Sequence, residues 1–282
     1  ISSLSLAEYT AAGIEILFFR RFFIFNHRKV LIIDGKTAFI GGVNIHGKHA
    51  KWLDLHISLS DKFFIKNFLY SFIKVYQLAG GADLSVIDHL KKKKVTRRRF
   101  ALYKTKVFLI EHGLFRRRSV LKKYYKKKIA ESERSIVIVT PYFIPHRWLV
   151  KAIGSAVRRG VRVEVILPMK TDSAIADAAN WISAEELGNR INFLFLPEMN
   201  HAKVLLVDGK EGMVGSNNID ARSFDLTLET GIVFQRKDMI LDLEEILKKW
   251  RESATPYEKL PLWHPWYYQI VKFFIKLISP SL

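Results

Sequence analysis

The sequence contains no cysteine among its 282 residues. This absence excludes disulfide bonds and thiol chemistry, and it fits a protein of a reducing compartment. The sequence also has no run of the ~18 consecutive apolar residues that a membrane-spanning helix needs. Its first residues, ISSLSLAEYT, show neither the basic start nor the apolar block of a signal peptide. Because they include no initiator methionine, we expect the chain to be a fragment.

Acidic residues are scarce: 27 Asp and Glu stand against 46 Lys and Arg, which gives a formal charge of +19. Such a charge indicates an anionic partner, which could be nucleic acid, a phospholipid surface or a phosphate-bearing substrate. Residues 91–128 carry 17 Lys or Arg and one acid, Glu111, and so hold +16 of that charge. A run of this kind is usually a solvated segment, but its interleaved Phe and Tyr residues favour contact with an anionic surface.

One motif is present twice. Residues 27–45 read HRKVLIIDGKTAFIGGVNI, residues 201–219 read HAKVLLVDGKEGMVGSNNI, and at an offset of 174 ten of the 19 positions are identical. A repeat of this kind indicates two related halves. The shared pattern is H-x-K-x4-D-x6-G-[GS]-x-N, and each copy predicts a β-hairpin with Asp-Gly at its turn.

Alternate residues of a strand share a face, so the histidine and the lysine of each motif point the same way. The two pairs are His27 with Lys29 and His201 with Lys203. Asp34 and Asp208 have the opposite parity and lie at the turns, which favours a structural role for them.

Two imidazoles beside two ammonium groups fit phosphodiester chemistry. One imidazole could attack phosphorus while the other protonates the leaving oxygen. The lysines, with Asn44 and Asn218, could stabilise negative charge on the phosphoryl oxygens, and Ser216 is a further candidate for contact with the phosphate. Such a site needs no metal and no other cofactor. The remaining histidines of the first half, His46, His49 and His56, have no metal-ligand spacing.

The second half predicts alternating strands and helices, which is typical of an α/β layered domain. The strands are expected at 135–140, 161–167 and 191–196, and the helices at 148–160 and 173–187. In the first half, residues 4–13 and 14–19 resemble the last helix and the last strand of that series. Because 26 residues precede His27 and 66 residues (135–200) precede His201, about 40 residues, one βα unit, are expected to be missing upstream.

We therefore divide the chain into four parts: an incomplete first half at 1–89, a basic insert or linker at 90–130, a second half at 131–236 and a helical tail at 237–282. The end of the tail, residues 260–282, is rich in aromatic residues, and Lys272 and Lys276 interrupt its apolar stretch. This pattern fits either core packing or an amphipathic helix at a membrane interface.

The duplicated motif resembles the HKD signature of the phospholipase D superfamily. The resemblance implies an α/β fold of two similar halves, each a mixed β-sheet flanked by helices, related by a pseudo-twofold axis. It also implies a covalent phosphohistidine intermediate, with His27 as the nucleophile and His201 as the general acid. The signature residues, which the resemblance makes catalytic, are His27, Lys29, Asp34, His201, Lys203 and Asp208.

Shorter matches resemble the cardiolipin synthase branch of that superfamily. They are TPYFIP at 140–145, W-x-D at 52–54, D-x-R-S-F at 220–224 and the terminal LISPSL. Asp54 lies 27 residues after His27, and Glu229 lies 28 residues after His201. In the family, a carboxylate in this region orients a catalytic imidazole, which makes Asp54 and Glu229 candidates for that role. The sequence departs from the branch at Thr227, where Asn is usual, and at Leu53, where Arg is usual.

The resemblance implies a phosphatidyltransferase like cardiolipin synthase, acting on anionic phospholipid at the cytoplasmic face of the cell membrane. A phospholipase D that transfers the phosphatidyl group to water and a nuclease of the same superfamily are the alternatives. Two intact motifs argue against an inactive, membrane-binding relative. The expected partner is therefore a membrane surface, with nucleic acid less favoured, and the sequence gives no oligomeric state.

Overall fold

The computed structural model describes residues 3–19, 24–82, 106–113, 119–261 and 265–278. Within these ranges the strands form one nine-stranded mixed sheet and one three-stranded antiparallel sheet, and helices pack against them. The predicted α/β class is confirmed, and the large sheet is mixed and flanked by helices as predicted, whereas the described sheet of the first half is antiparallel throughout.

The first half is built around the three-stranded sheet. Its elements are α1 (Ser3–Ala11), β1 (Phe25–Asn26), β2 (Val30–Ile33), β3 (Thr37–Gly41), β4 (His56–Leu59) and α2 (Lys62–Leu78). The hairpin β2–β3 continues antiparallel into β4. Asp61 begins α2 by accepting hydrogen bonds from the N–H groups of Phe63 and Phe64, the usual role of an N-cap carboxylate.

The described part of the basic segment is ordered secondary structure and not a linker, which corrects the boundaries drawn at 90–130. Its elements are β5 (Val107–His112) and α3 (Val120–Glu131). Leu121 and Ile129 of α3 are fully buried, because the apolar residues of this helix lie on one face while its lysines lie on the others. The rest of the segment, residues 83–105 and 114–118, lies outside the described residues.

The second half supplies most of the large sheet. Its elements are β6 (Ser135–Val139), α4 (Arg147–Arg158), β7 (Arg162–Pro168), α5 (Ala174–Leu187), β8 (Asn192–Leu196), β9 (Val204–Val207), β10 (Glu211–Gly215), α6 (Ala221–Asp225) and β11 (Thr227–Phe234). Strands β6, β7 and β8 are parallel, and β9 joins β6 antiparallel. The predicted strands and helices of this half are confirmed to within one or two residues.

The tail belongs to the same fold. Its elements are α7 (Lys237–Ser253), β12 (Thr255–Pro256) and α8 (Tyr268–Ile278). Strand β12 pairs with β8, and α7 buries Leu243 and Leu247 in the core between the two sheets. No helix in the described ranges is long and apolar enough to cross a membrane.

The two sheets share a core. Ala38 and Ile40 of β3 and Phe68 of α2 are buried there in one cluster with Val204 and Leu206 of β9. A second core lies on the opposite face of the large sheet, under α3, α4 and α5. The motif hairpins β2–β3 and β9–β10 therefore lie on opposing sheets, which brings the two repeats together.

Residues 14–19 form no strand in the described chain, which corrects the prediction made for them. Their counterpart β8 is separated from β9 by β6 and β7 in the sheet order. Among the described residues, the first half has no counterparts of β6 and β7. A strand at 14–19 would therefore lack the neighbours with which it must share backbone hydrogen bonds.

Candidate active site

The Asp-Gly turns predicted for both hairpins are present. Asp34 and Asp208 have φ of 51° and 56°, a left-handed conformation that Asp tolerates better than most residues. The Asp208 carboxylate accepts hydrogen bonds from the backbone N–H groups of Arg134 (2.7 Å) and Ser135 (2.9 Å). The structure thus places both aspartates at turns and gives Asp208 a structural role, which corrects the catalytic role that the signature implied.

His27 is held by Glu229. Its Nδ1 lies 3.1 Å from Oε1 and 3.2 Å from Oε2 of that carboxylate. Glu229 is fully buried, while the His27 side chain is 31% exposed. Burial by itself would raise the pKa of Glu229, but hydrogen bonds from His27, Ser216 and Thr227 lower it below its usual value. The carboxylate is thus ionised, and it lies within hydrogen-bond distance of the imidazole.

His201 is held by Asp54 in the same way, with 2.9 Å between Nδ1 and Oδ2. This pair is the more enclosed of the two, with side-chain exposures of 5% and 8%. Burial lowers the pKa of His201 to about 4; the hydrogen bond to Asp54 opposes this shift and the charge of Lys203 adds to it. His201 is therefore neutral near pH 7 in the protein without substrate.

Each carboxylate orients the histidine of the opposite half. The backbone repeats this crossed arrangement: His27 N donates to Leu228 O (3.0 Å), and His201 N donates to Leu53 O (2.6 Å). Leu228 and Leu53 immediately precede Glu229 and Asp54. The two repeats are thus related by a pseudo-twofold arrangement in which neither half orients its own histidine.

The Gly-[GS] positions of the two motifs lie behind these carboxylates. A Cβ at Gly42 would come within 2.1 Å of Asp54 Oδ1, so only glycine leaves room for that carboxylate. At the equivalent position the hydroxyl of Ser216, which is fully buried, donates to Glu229. Ser216 therefore supports Glu229, and its contact with the phosphate stays a prediction.

The two motif lysines lie in the same site. Lys29 Nζ donates to His27 O (2.9 Å) and Lys203 Nζ to His201 O (2.5 Å). Burial lowers the pKa of Lys29 to about 8, and burial lowers the pKa of Lys203 well below its usual value. The carboxylates of Asp54 and Glu229 oppose both shifts, so all four charges lie within reach of one another.

The two asparagines are placed differently. Asn44 lines an open cleft that also contains Asp54. Asn218 is buried, and its Oδ1 has no hydrogen-bond partner among the described residues.

Within the described ranges, no three His, Asp or Glu side chains are close enough together to hold a metal ion.

Several residues that lie beside the site were not predicted from the sequence. Thr227, noted only as a departure from the branch, donates from Oγ1 to Glu229 Oε1 (2.7 Å). His112 of β5 lies opposite Glu229 in the sheet register, and burial lowers its pKa. The ring of Trp52 stacks on that of His49 (4.0 Å between centroids) and tilts against His201 (5.5 Å). The W-x-D match was the one sequence signal for Trp52, and no signal marked His112.

The lowered pKa of Lys29 predicts an alkaline limit to activity. Only the ammonium form neutralises a phosphate, so kcat/KM on a soluble phosphodiester is expected to fall above about pH 8. The measurement is a pH profile, with circular dichroism to exclude unfolding, and Lys36→Met at an exposed turn serves as a control that keeps the profile. A flat kcat/KM from roughly pH 7 to pH 10 would contradict this role of the motif lysines.

Comparison with known proteins agrees with this geometry. The family "Cardiolipin synthase, PLD-like domain" matches residues 125–251. A cardiolipin synthase of Listeria monocytogenes serotype 4a is 32% identical over 279 residues, which cover 91% of this chain and 54% of the relative. A cardiolipin synthase of Geobacillus kaustophilus is 27% identical over 303 residues, with coverages of 100% and 59%. The chain spans about half the length of these curated relatives.

A solved structure shares the fold. Phosphatidylserine synthase of Haemophilus influenzae Rd KW20 matches with a TM-score of 0.65 and 17% identity, over 92% of this chain and 72% of that one. The match to the family model and to the cardiolipin synthases shows that the chain belongs to the phospholipase D superfamily. Its matched relatives place it, more narrowly, in the cardiolipin synthase-like branch.

Proposed function

We propose that this chain carries the catalytic site of a phosphatidyltransferase resembling cardiolipin synthase, which moves a phosphatidyl group between anionic phospholipids through a phosphohistidine. The observation that supports it most is the crossed pairing of His27 with Glu229 and His201 with Asp54 around two lysines, of which Lys203 is buried and Lys29 is half-buried. The names of the matched relatives support the lipid substrate class.

In the first step His27 Nε2 attacks the phosphorus of the donor lipid. The bond from phosphorus to the headgroup oxygen breaks, and His201 supplies the proton to that oxygen. Glu229 stabilises the charge that develops on His27, as a buried carboxylate does for a catalytic imidazole. Lys29 and Lys203 each use one hydrogen for a backbone carbonyl, which leaves two for phosphoryl oxygens.

This division of roles fits the different settings of the two histidines. His27 is the more exposed imidazole and is open to an incoming phosphorus, while His201 lies buried beside Trp52. An anionic phosphodiester bound in the site opposes the effect of Lys203 and so favours the protonated form of His201. His201 thus gains its catalytic proton together with the substrate.

Mass spectrometry of products tests the proposal against its alternatives. Incubation with phosphatidylglycerol vesicles is expected to give products in which a phosphatidyl group has moved to another lipid, while plasmid DNA in a parallel reaction stays intact. Phosphatidic acid as the sole lipid product would make the protein a hydrolase. Cut DNA with unchanged lipid, in a reaction that weakens steeply with salt, would make it a nuclease.

We further propose that α8 contacts the membrane surface, with the chain at the cytoplasmic face. The helix is fixed to the fold by Tyr268, which is 2% exposed and donates to Glu185 (2.5 Å), and by Lys272, which pairs with Glu185 (3.0 Å) and Glu186 (3.1 Å). The opposite face of the helix is apolar and exposed, with Ile270 53%, Phe273 62% and Phe274 56% exposed, and Trp266, two residues before the helix, is 86% exposed. Aromatic residues on one helix face favour the headgroup region of a bilayer.

Replacement of Trp266, Phe273 and Phe274 together by serine is expected to weaken binding to phosphatidylglycerol vesicles at least ~10-fold. Each substitution removes apolar side-chain area that enters the membrane interface. Co-sedimentation measures binding, and turnover of a soluble short-chain phospholipid checks that the site is intact. The matched control is Ile175→Ser with Leu241→Ser, two exposed apolar residues on other helices. Equal vesicle binding by the triple variant and the control would remove α8 from the membrane contact.

A further inference from the structure

Helix α3 has a cationic side to which the chemistry of the active site gives no role. The helix contains five lysines and one acid, Glu131, which pairs with the last two of those lysines at 3.7 and 3.6 Å. Of the other three, Lys123 and Lys126 are exposed and Lys122 is half-buried. Within the described ranges none of these three forms an ion pair. Three lysines without a counter-charge on one helix indicate an anionic partner.

The ring of Trp148 connects these lysines with the neighbourhood of the active site. Nζ of Lys122 and Nζ of Lys126 each lie 5.7 Å from the ring centroid, because residues four apart on a helix share a face. The same indole packs edge-on against Phe224, with 5.1 Å between the centroids. Phe224 belongs to α6, the helix that directly precedes β11 and Glu229. The lysines are therefore two aromatic rings away from the segment that leads into the site.

Helix α4 continues the cationic surface. Arg147 and Lys151 are exposed, lie one turn apart at the start of α4 and are neighbours of Trp148 on the helix surface. The helix, RWLVKAIGSAVR, contains no acid, and neither cation has an ion pair in the part of the chain that the structure describes. We call these residues of α3 and α4 the cationic patch: Lys122, Lys123, Lys126, Arg147 and Lys151, together with Trp148.

The cationic patch and α8 belong to the same layer of helices. Leu121 of α3, Leu149 of α4 and Tyr268 of α8 are buried in one core cluster on one face of the large sheet. The outer sides of these helices therefore lie on the same side of the molecule, where Phe273 and Phe274 are exposed. Cations together with exposed aromatic rings fit a bilayer that has anionic headgroups. A nucleic acid duplex would meet the lysines but offers no apolar partner for those rings.

We propose that the cationic patch docks on the anionic headgroups of a phospholipid bilayer, so that α3 and α4 lie on the membrane surface together with α8. This inference rests on the proposed function, because the bilayer that it names is the source of the substrate. It adds an electrostatic contact to the apolar contact of α8. The contact brings the bilayer to the side of the molecule on which α6 precedes Glu229.

Neutralising the three lysines of α3 tests the patch. The triple variant Lys122→Gln, Lys123→Gln, Lys126→Gln is expected to bind phosphatidylglycerol vesicles at least ~10-fold more weakly at low salt, since each Lys near an anionic bilayer contributes about fivefold. The loss should shrink as salt is raised, because the contact is electrostatic. Binding to neutral phosphatidylcholine vesicles should not change. Co-sedimentation of the whole chain with each kind of vesicle gives the affinities.

A second triple variant removes the same charge from other places. Lys36→Gln, Lys210→Gln and Lys237→Gln change exposed lysines at the two hairpin turns and at the start of α7. This control is expected to bind phosphatidylglycerol vesicles nearly as wild type does. Turnover of a soluble phosphodiester checks that the fold survives in both variants. The α8 variant gives the contrast, because its loss should persist at high salt and appear with phosphatidylcholine as well.

Equal losses in the two triple variants would overturn the patch, because binding would then follow net charge and not position. Unchanged vesicle binding by the α3 variant, together with weakened binding to duplex DNA, would overturn the membrane partner and make the patch a nucleic-acid surface. Vesicle binding is measured without turnover, so the proposed function is tested separately. A wild type that binds vesicles through the patch but forms no lipid product would overturn the proposed function and leave the docking surface standing.

Discussion

Replacement of His27 or of His201 by alanine is expected to lower turnover at least ~10³-fold, since each variant loses either the nucleophile or the proton donor of the same step. Neither imidazole can take over from the other, because each is fixed by its own carboxylate on opposite sides of the site. The measurement is the rate on a soluble phosphodiester, which removes any effect on membrane binding.

Two controls accompany these variants. Tyr70→Ala removes a ring that is 48% exposed and far from the motifs in the sequence, and it should keep wild-type turnover. Thermal unfolding of each histidine variant shows whether the fold survives the change. If either histidine variant kept more than about a tenth of wild-type turnover in a folded protein, the two-histidine chemistry would be wrong.

The next largest effect is expected from the orienting carboxylates. Glu229→Gln and Asp54→Asn should each lower turnover about 10²–10⁴-fold, because an amide can neither fix the imidazole tautomer nor stabilise its cation. The changes keep the shape of the side chain, so their effect is electrostatic. Thr227→Val, which removes one hydrogen bond to Glu229, is the matched milder variant, and its loss should be smaller.

Imidazole NMR distinguishes this crossed arrangement from a general loss of structure. Glu229→Gln should shift the ring resonances of His27 and spare those of His201, and Asp54→Asn should do the reverse. A carboxylate variant that shifted the histidine of its own half instead would contradict the crossed pairing. Full activity in either folded variant would remove that carboxylate from catalysis.

Much of the site follows from the sequence because the motif is local. The motif spacing predicted that each histidine lies beside its lysine, although both residues come just before the strands β2 and β9 and not within them, and Asp-Gly defined both turns. The repeat itself predicted two related halves. The resemblance to the superfamily, and not a local pattern, identified Asp54 and Glu229, which lie 27 and 28 residues after His27 and His201 and bond the histidines.

The crossed partners could not be predicted, because they depend on how the two sheets pack and not on any local pattern. The same limit applies to β5: its pairing with β11 spans more than a hundred residues, and its charge-rich surroundings resemble a solvated linker. Residues 14–19 were predicted to form a strand that the structure does not contain. Their apolar composition favours a strand, but a strand forms only where a neighbour supplies backbone partners.

The proposed mechanism requires a covalent bond between phosphorus and His27. The direct measurement is peptide mapping by mass spectrometry after a rapid quench at alkaline pH, in which a phosphohistidine survives, during turnover of a short-chain phospholipid. We expect a substrate-dependent phosphatidyl adduct on the peptide that contains His27, and its absence from the His27→Ala variant. An adduct on His201 would reverse the two roles, and rapid turnover with no adduct on either histidine would contradict the mechanism.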